Sequence, residues 1–320
     1  MTSHDATAPL RPQTLAWVSR HLEAGERVVR TEPLHGGVTA DVRRLTIAAR
    51  DGGTRDLVLR SYVDPFYLRD AESALNREAA ALTLLPGTGV PAPALVAADP
   101  TAAHCAYPSL LMTRLEGRTV LDDAGIPTRL PLLARHLVAV HALRPTERPP
   151  EYVALSTPDT AVIPQHADRA VWSAAADAIR TPRPPYQGRF LHRDFQPGNI
   201  LFDSATALTP SARITGVIDW AGASWGPSDL DVAHCSTVLA LLHGPTWGLR
   251  FPDAYESAGG TLAPTRAQRR YWQVRDALAA SEEVGIISRV WREAGRSELT
   301  ERAVGERLHA YVVALMGAVG

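Results

Sequence analysis

The stretch FLHRDFQPGNILFD, residues 190–203, limits what this chain can fold into more than any other. Apolar Phe190 and Leu191 lead in and Ile200, Leu201 and Phe202 lead out, so both flanks read as short buried strands. Pro197-Gly198 forces the chain to turn between them. His192, Arg193, Asp194 and Asn199 therefore share one tight loop, with Asp194 and Asn199 five residues apart. Seventeen residues beyond Phe202, the apolar segment ITGVIDW reaches Asp219, and the polar DSATALTPSA between them suits a hairpin turn. Such a hairpin returns Asp219 beside Asn199. A carboxylate and an amide oxygen held together form a hard-oxygen site suited to Mg²⁺ rather than zinc. Asp194 then remains as a carboxylate able to orient a hydroxyl and accept its proton.

The rest of the chain supplies two kinds of surroundings. Residues 13–24 read as a helix, and 32–63 as strands separated by turn signals, GGVTADVRRLTIAA and TRDLVLRSY around RDGG. RDAESALNREAAALTLLP has helical spacing and stops at Pro86, and ALVAADPTAAHCAYPSLLMTRL predicts a further strand pair. RLPLLARHLVAVHAL places Leu130, Leu133, Leu137 and Val140 on one helical face. The Pro-rich 144–166 reads as a loop, a helix follows at 167–180, and nearly everything after 229 has helical period, including the long stretch 265–296. The expected fold class is α+β: a β-rich unit over 1–113 and a larger helical one over 114–320, connected through RLEGRTV at 114–120.

Composition enters by what it excludes. All 33 basic residues are arginine, which rules out Schiff-base chemistry and a Walker A phosphate loop, both of which need lysine. A net charge of −1 gives no field for nucleic acid or an anionic membrane, and no apolar run approaches a membrane span. Cys105 and Cys235 are too few for a disulfide framework, no CxxC suggests zinc, and the N-terminus lacks a signal-peptide pattern, so a cytoplasmic setting is expected.

HRDFQPGN fits the kinase catalytic-loop pattern, in which Asn follows Asp by five positions, and VIDW takes the place of the metal-binding Asp-Phe-Gly segment. With the sequel DWAGASWGPSDLDVAH, the chain resembles the aminoglycoside phosphotransferase family of small-molecule kinases over roughly residues 30–235. That resemblance implies a bilobal protein-kinase-like fold. It implies that Asp194 is the catalytic base, with His192 bracing the loop and Arg193 in a position where many relatives have Gly. Asn199 and Asp219 would hold Mg²⁺ against the phosphates of ATP, with GTP not excluded. Asp231 would tether the loop. Gly36, Gly37 and Thr39 in LHGGVTADV fall where the phosphate loop lies, although no full GxGxxG is present. Arg60 in LVLRSY stands in the position of the phosphate-binding lysine, with Glu78 as its carboxylate partner. Met112 in SLLMTRLEG would line the adenine pocket, and the backbones of Thr113 and Leu115 would pair with the adenine edge.

The implied function is phosphoryl transfer to a hydroxyl of a small molecule: an aminoglycoside-type or other antibiotic, or alternatively choline, homoserine or a sugar. A nucleotide-binding pseudokinase is a further alternative, supported by the arginine at the lysine position. A protein kinase is disfavoured, since no Ala-Pro-Glu segment follows Asp219. Residues 203–320 carry 13 Asp and Glu against 11 Arg, which does not select an acceptor. His141 on an apolar helix face reads as a core histidine, Trp247, Trp272 and Trp291 as core, and RAQRRYWQVRD as a solvated helix face. Glu282 and Glu283 read as an exposed face that could attract a cation.

Overall fold

In the computed structural model, strand β3 (Thr54–Ser61) is buried from Leu57 to Ser61 on both faces, the mark of a central strand. It lies between β2 (Asp41–Ala48) and β5 (Ser109–Thr113), in a five-stranded antiparallel sheet of order β1-β2-β3-β5-β4. The edges are β1 (Arg27–Pro33) and β4 (Leu95–Asp99). Arg60 pairs with Val42 on one side and Leu110 on the other, so the middle of the sheet fixes its position.

Two helices accompany this sheet. Helix α1 (Pro12–Arg20) buries Trp17 and Val18 in a core with Leu45, Ile47, Leu57, Leu59, Cys105 and Leu111. Helix α2 (Pro65–Leu84) starts where Asp64 accepts the Phe66 N–H and Pro65 fills the first position. It buries Ala71, Ala74, Leu75, Glu78, Ala81 and Leu82, a stripe at helical spacing. Glu78 is the charged member of that stripe.

The structure describes residues 9–34, 39–154, 157–209 and 211–317. It divides into two units: Met1–Glu116 with Ile218–Ala221, and Gly117–Val217 with Gly222–Gly320. Gly36 and Gly37 lie outside the described residues.

The second unit carries the helices α3 (Ile126–Ala142), α4 (Arg169–Arg180), α5 (Ser228–His243), α6 (Pro245–Ser257), α7 (Arg266–Ala280), α8 (Val284–Glu293) and α9 (Glu301–Gly317). Helix α5 is buried nearly throughout and packs on α6, α7 and α9. The aromatic part of this core is Trp172, Tyr271, Trp272, Trp291 and Tyr311. Two short antiparallel pairs complete the unit: β6 (Gly188–Leu191) with β9 (Ser224–Pro227), and β7 (Ile200–Phe202) with β8 (Ile214–Val217).

The hairpin expected after Phe202 forms, with Ile200 opposite Val217. Strand β9 had no signal, because SWGP lacks apolar alternation and is held by pairing with β6. The helical stretch 265–296 is broken at Ser281, whose hydroxyl donates to the Leu278 carbonyl and accepts the Val162 N–H. Serine competes for backbone partners in this way and ends α7 without glycine or proline. Both cysteines are buried and free. Among the described residues, no helix is long and apolar enough to cross a membrane.

Candidate active site

Two constellations hold the expected residues, one in each unit. In the first, Arg60 Nη1 donates to Glu78 Oε2 at 2.8 Å and to Asp219 Oδ1 at 2.8 Å, while Nη2 donates to Asp219 Oδ2 at 2.6 Å. Arg60 is 5% exposed and Glu78 1%. Burial works against the guanidinium charge, but Glu78 and Asp219 more than offset it and raise the Arg60 pKa well above its ordinary value. The Trp220 N–H also donates to Glu78, and Arg77 holds the Ala221 carbonyl at 2.8 Å. Asp219 has left-handed backbone, φ 65, a conformation that a non-glycine residue adopts at some cost. Thr39 hydrogen-bonds the Tyr62 phenol, two residues beyond Arg60.

Met112 is buried on β5, opposite Val58 and Leu95. The Thr113 N–H donates to the Ala94 carbonyl at 2.9 Å, and its hydroxyl accepts the Ala94 N–H. Leu115, just beyond β5, has no backbone partner among the described residues. Of the two residues expected to meet an adenine edge, Leu115 keeps both backbone groups available, whereas Thr113 has already committed its donor.

The second constellation surrounds Asp194. Asn199 Nδ2 donates to the Asp194 carbonyl at 2.9 Å and to its Oδ2 at 2.7 Å. The single 3₁₀ turn Pro197–Asn199, capped by Gln196, sets this contact. Since the amide nitrogen faces Asp194, Asn199 has its Oδ1 left as the atom to offer a cation. The Asp194 N–H donates to His192 Nδ1 at 3.2 Å, which places the neutral ring's proton on Nε2.

Asp231 holds the loop from beneath. Its Oδ2 accepts the His192 N–H and its Oδ1 the Arg193 N–H, both at 2.8 Å. His141 Nε2 donates to Asp231 Oδ2 at 3.1 Å, and His141 Nδ1 meets the Tyr255 hydroxyl at 2.7 Å. Burial pushes the Asp231 carboxyl up, but the His141 hydrogen bond and the charges around it bring it down to about 2. Arg193 has φ 71, which accounts physically for a position that glycine suits, and its guanidinium lies 5.8 Å from the Tyr152 ring centre.

Two residues at this site carried no functional expectation. His234 Nε2 lies 3.0 Å from Asp194 Oδ1, and His234 Nδ1 lies 3.3 Å from Asp276 Oδ1. Burial opposes the His234 charge, but the carboxylates of Asp276 and Asp194 outweigh it and hold the ring's pKa well above its ordinary value. His234 falls three residues after Asp231, on the next turn of α5, and this was the one available signal. Asp276 closes the run RAQRRYWQVRD, read as a solvated face, yet its side chain is only 14% exposed.

Among the described residues, no group of three or more His, Cys, Asp and Glu converges as a metal cluster. Asp219 of the first unit carries a carboxylate and Asn199 of the second an amide Oδ1, each a hard oxygen of the kind Mg²⁺ rather than zinc takes.

Solved structures share this fold at low identity. A thermostable mutant of aminoglycoside phosphotransferase APH(4)-Ia, solved as a ternary complex with AMP-PNP and hygromycin B, is 18% identical with a TM-score of 0.60, covering 95% of this chain and 99% of that one. Macrolide 2'-phosphotransferase MphH from Brachybacterium faecium is 19% identical with a TM-score of 0.54, covering 92% and 96%. No curated protein matches the chain. The family model described as the phosphotransferase enzyme family, APH, matches residues 30–272, most of the chain and every residue of the two constellations except Asp276. The chain belongs to the APH phosphotransferase enzyme family.

Proposed function

We propose that this phosphotransferase moves the terminal phosphoryl group of ATP to a hydroxyl of a small acceptor, with Asp194 as the base. The observation that carries this reading is the state of the Asp194 carboxylate. Its two oxygens are held by Asn199 and His234, while the side chain remains 42% exposed. A carboxylate so fixed and still reachable can align a hydroxyl for in-line attack. Asp194 takes the acceptor's proton as that oxygen bonds to phosphorus; the bond from phosphorus to the bridging oxygen breaks, and ADP leaves. Mg²⁺ when bound would neutralise charge on the phosphates, with Asp219 and the Asn199 Oδ1 as its protein ligands.

On the nucleotide side, Arg60 supplies a fixed positive charge on a central strand, and Leu115 an open backbone edge for a base. The Gly36-Gly37 loop would cover the phosphates, and GTP is compatible with the same groups. Hydroxylated antibiotics are the first acceptors to test, because structures of similar fold are named for aminoglycosides and macrolides and one holds hygromycin B. Choline, homoserine and sugars complete the panel.

The test is ADP release from Mg²⁺-ATP across that panel, with Asp194→Asn as the blank. Turnover that depends on acceptor and vanishes in the blank is expected. Nucleotide binding by Asp194→Asn, read by calorimetry, should stay near that of the parent. Near-full turnover in the blank would overturn the role of Asp194.

A further inference from the structure

Asp194 is held on its two oxygens by different means. Oδ2 accepts from Asn199, a neighbour in the same loop, whereas Oδ1 faces His234 of α5, which in turn faces Asp276 of α7. Each ring nitrogen of His234 therefore points at a carboxylate oxygen. A neutral imidazole has one N–H and can satisfy only one of them, while an imidazolium donates to both. With Asp194 and Asp276 ionised, the doubly protonated ring is the form that leaves no lone pair facing a carboxylate.

We infer that His234 and Asp276 are positioning residues for the phosphoryl transfer: a charged imidazolium, anchored by Asp276, pins the Asp194 carboxylate so that its remaining lone pairs point at the acceptor hydroxyl. The inference rests on the proposed role of Asp194 and adds what fixes its rotamer. Asn199 alone would leave the carboxylate free to swing about one contact. Two contacts on opposite oxygens fix both its rotation and its plane, and a misplacement of about 1 Å at such a group costs on the order of 100-fold in rate. Asp276 matters because His234 rotates about its own bonds, and a partner on Nδ1 fixes the ring as outer partners do for other functional histidines.

Charged groups around the ring come from three elements. Asp194 faces it from the loop and Asp276 from α7, and Glu283, in the turn before α8, lies within electrostatic reach. Tyr311 on α9 is in turn within electrostatic reach of Asp276. The charged groups named here are acidic, and those of Asp276 and Asp194 favour the protonated ring.

Two measurements test this. Steady-state kinetics with Mg²⁺-ATP, using water as the acceptor if no panel compound turns over, should show His234→Ala lowering kcat by about 10- to 100-fold with KM for Mg²⁺-ATP within about twofold. His234→Gln should recover part of the loss, because its amide nitrogen can still donate to Asp194, and added imidazole should rescue His234→Ala in part. Separately, ¹⁵N NMR of histidine-labelled protein should show both His234 nitrogens protonated at neutral pH. Asp194→Asn and Asp276→Asn should each lower the pH at which the ring loses its proton. An unchanged kcat in folded His234→Ala, or a bare ring nitrogen at neutral pH, would overturn the inference. An absence of any Mg²⁺-ATP turnover in the parent would instead sink the proposed function, with the NMR result still deciding whether the ring holds Asp194.

Discussion

At Arg60 a single guanidinium serves two carboxylates, and neither it nor Glu78 is open to water. Removing one partner from such a group strands a buried charge, which costs about 3–5 kcal/mol. Arg60→Ala should therefore lose about that much stability in urea unfolding, because Glu78 keeps its burial and loses its counter-charge. Arg60→Lys should lose less, since an ammonium keeps the charge without the fork that spans both oxygens of Asp219. Equal urea midpoints for parent and Arg60→Ala would mean that the pair does not stabilise the fold. The pairing with Glu78 was expected through the resemblance to the phosphotransferase family, which matches Arg60 to a strand position and Glu78 to a helix position. The closure of the fork on Asp219, 159 residues away, was not, since spacing does not encode a rotamer. The same holds for His234 and Asp276, 42 residues apart and on different helices.

Among elements, α5 carries the most consequence. A helix buried on every side reads as uniformly apolar, but this one carries Asp229 and Asp231 into the interior, with His234 partly buried on the next turn. Each buried charge there has partners: Ala263 N–H for Asp229, the loop and His141 for Asp231, and Asp194 with Asp276 for His234. The motif DLDVAH placed Asp231 in sequence, while its partner His141 lies 90 residues upstream and showed only as a histidine on an apolar face. Against α5 lies α6, at a closeness set by Gly248. A Cβ there would meet the Ser236 carbonyl oxygen at 2.3 Å and the Ala240 Cβ at 2.7 Å. Backbone cannot yield as a flexible side chain does, so Gly248→Ala should push α6 off α5 and cost about 1–3 kcal/mol. Thermal unfolding would read it, and a melting temperature at or above the parent's would show that the two helices separate freely. The stop of α2 just before Pro86 was legible, but its start at Asp64 and Pro65 was not read, the expected helix beginning only at Arg69; the break between α7 and α8 was not legible either, because it depends on a contact from Val162.

Across the second unit, acid should act first through a histidine at the end of α5. His243 Nδ1 donates to Asp123 Oδ1 at 2.6 Å, and its Nε2 is buried with no partner among the described residues. A second proton would have to sit on that nitrogen, without an acceptor and in the field of Arg129 and Arg296. Burial first, and those two guanidiniums after it, outweigh the pull of Asp123 and lower the His243 pKa to about 4. The unfolded chain takes this proton near its ordinary value of 6.5. As pH falls from about 6.5 to about 4, the unfolded state therefore binds more protons than the folded one, and stability declines. His136 on α3, its pKa lowered by burial, adds to the decline with the same sign. His234 works oppositely: its raised folded pKa gives stability that is complete below 6.5 and lost as pH rises through the folded value, so it is constant across this window. Asp231 acts lower still, its contribution present above 3.8 and lost as pH falls through about 2. Comparing His243→Gln with the parent isolates the one residue. Urea midpoints at pH 7, 5.5 and 4.5 should fall more steeply in the parent, with a difference of roughly 2–3 kcal/mol in unfolding free energy accumulated by the lowest pH. Parallel slopes for the two proteins would mean that the bare Nε2 gains a partner on protonation, and that acid weakens this unit at some other group.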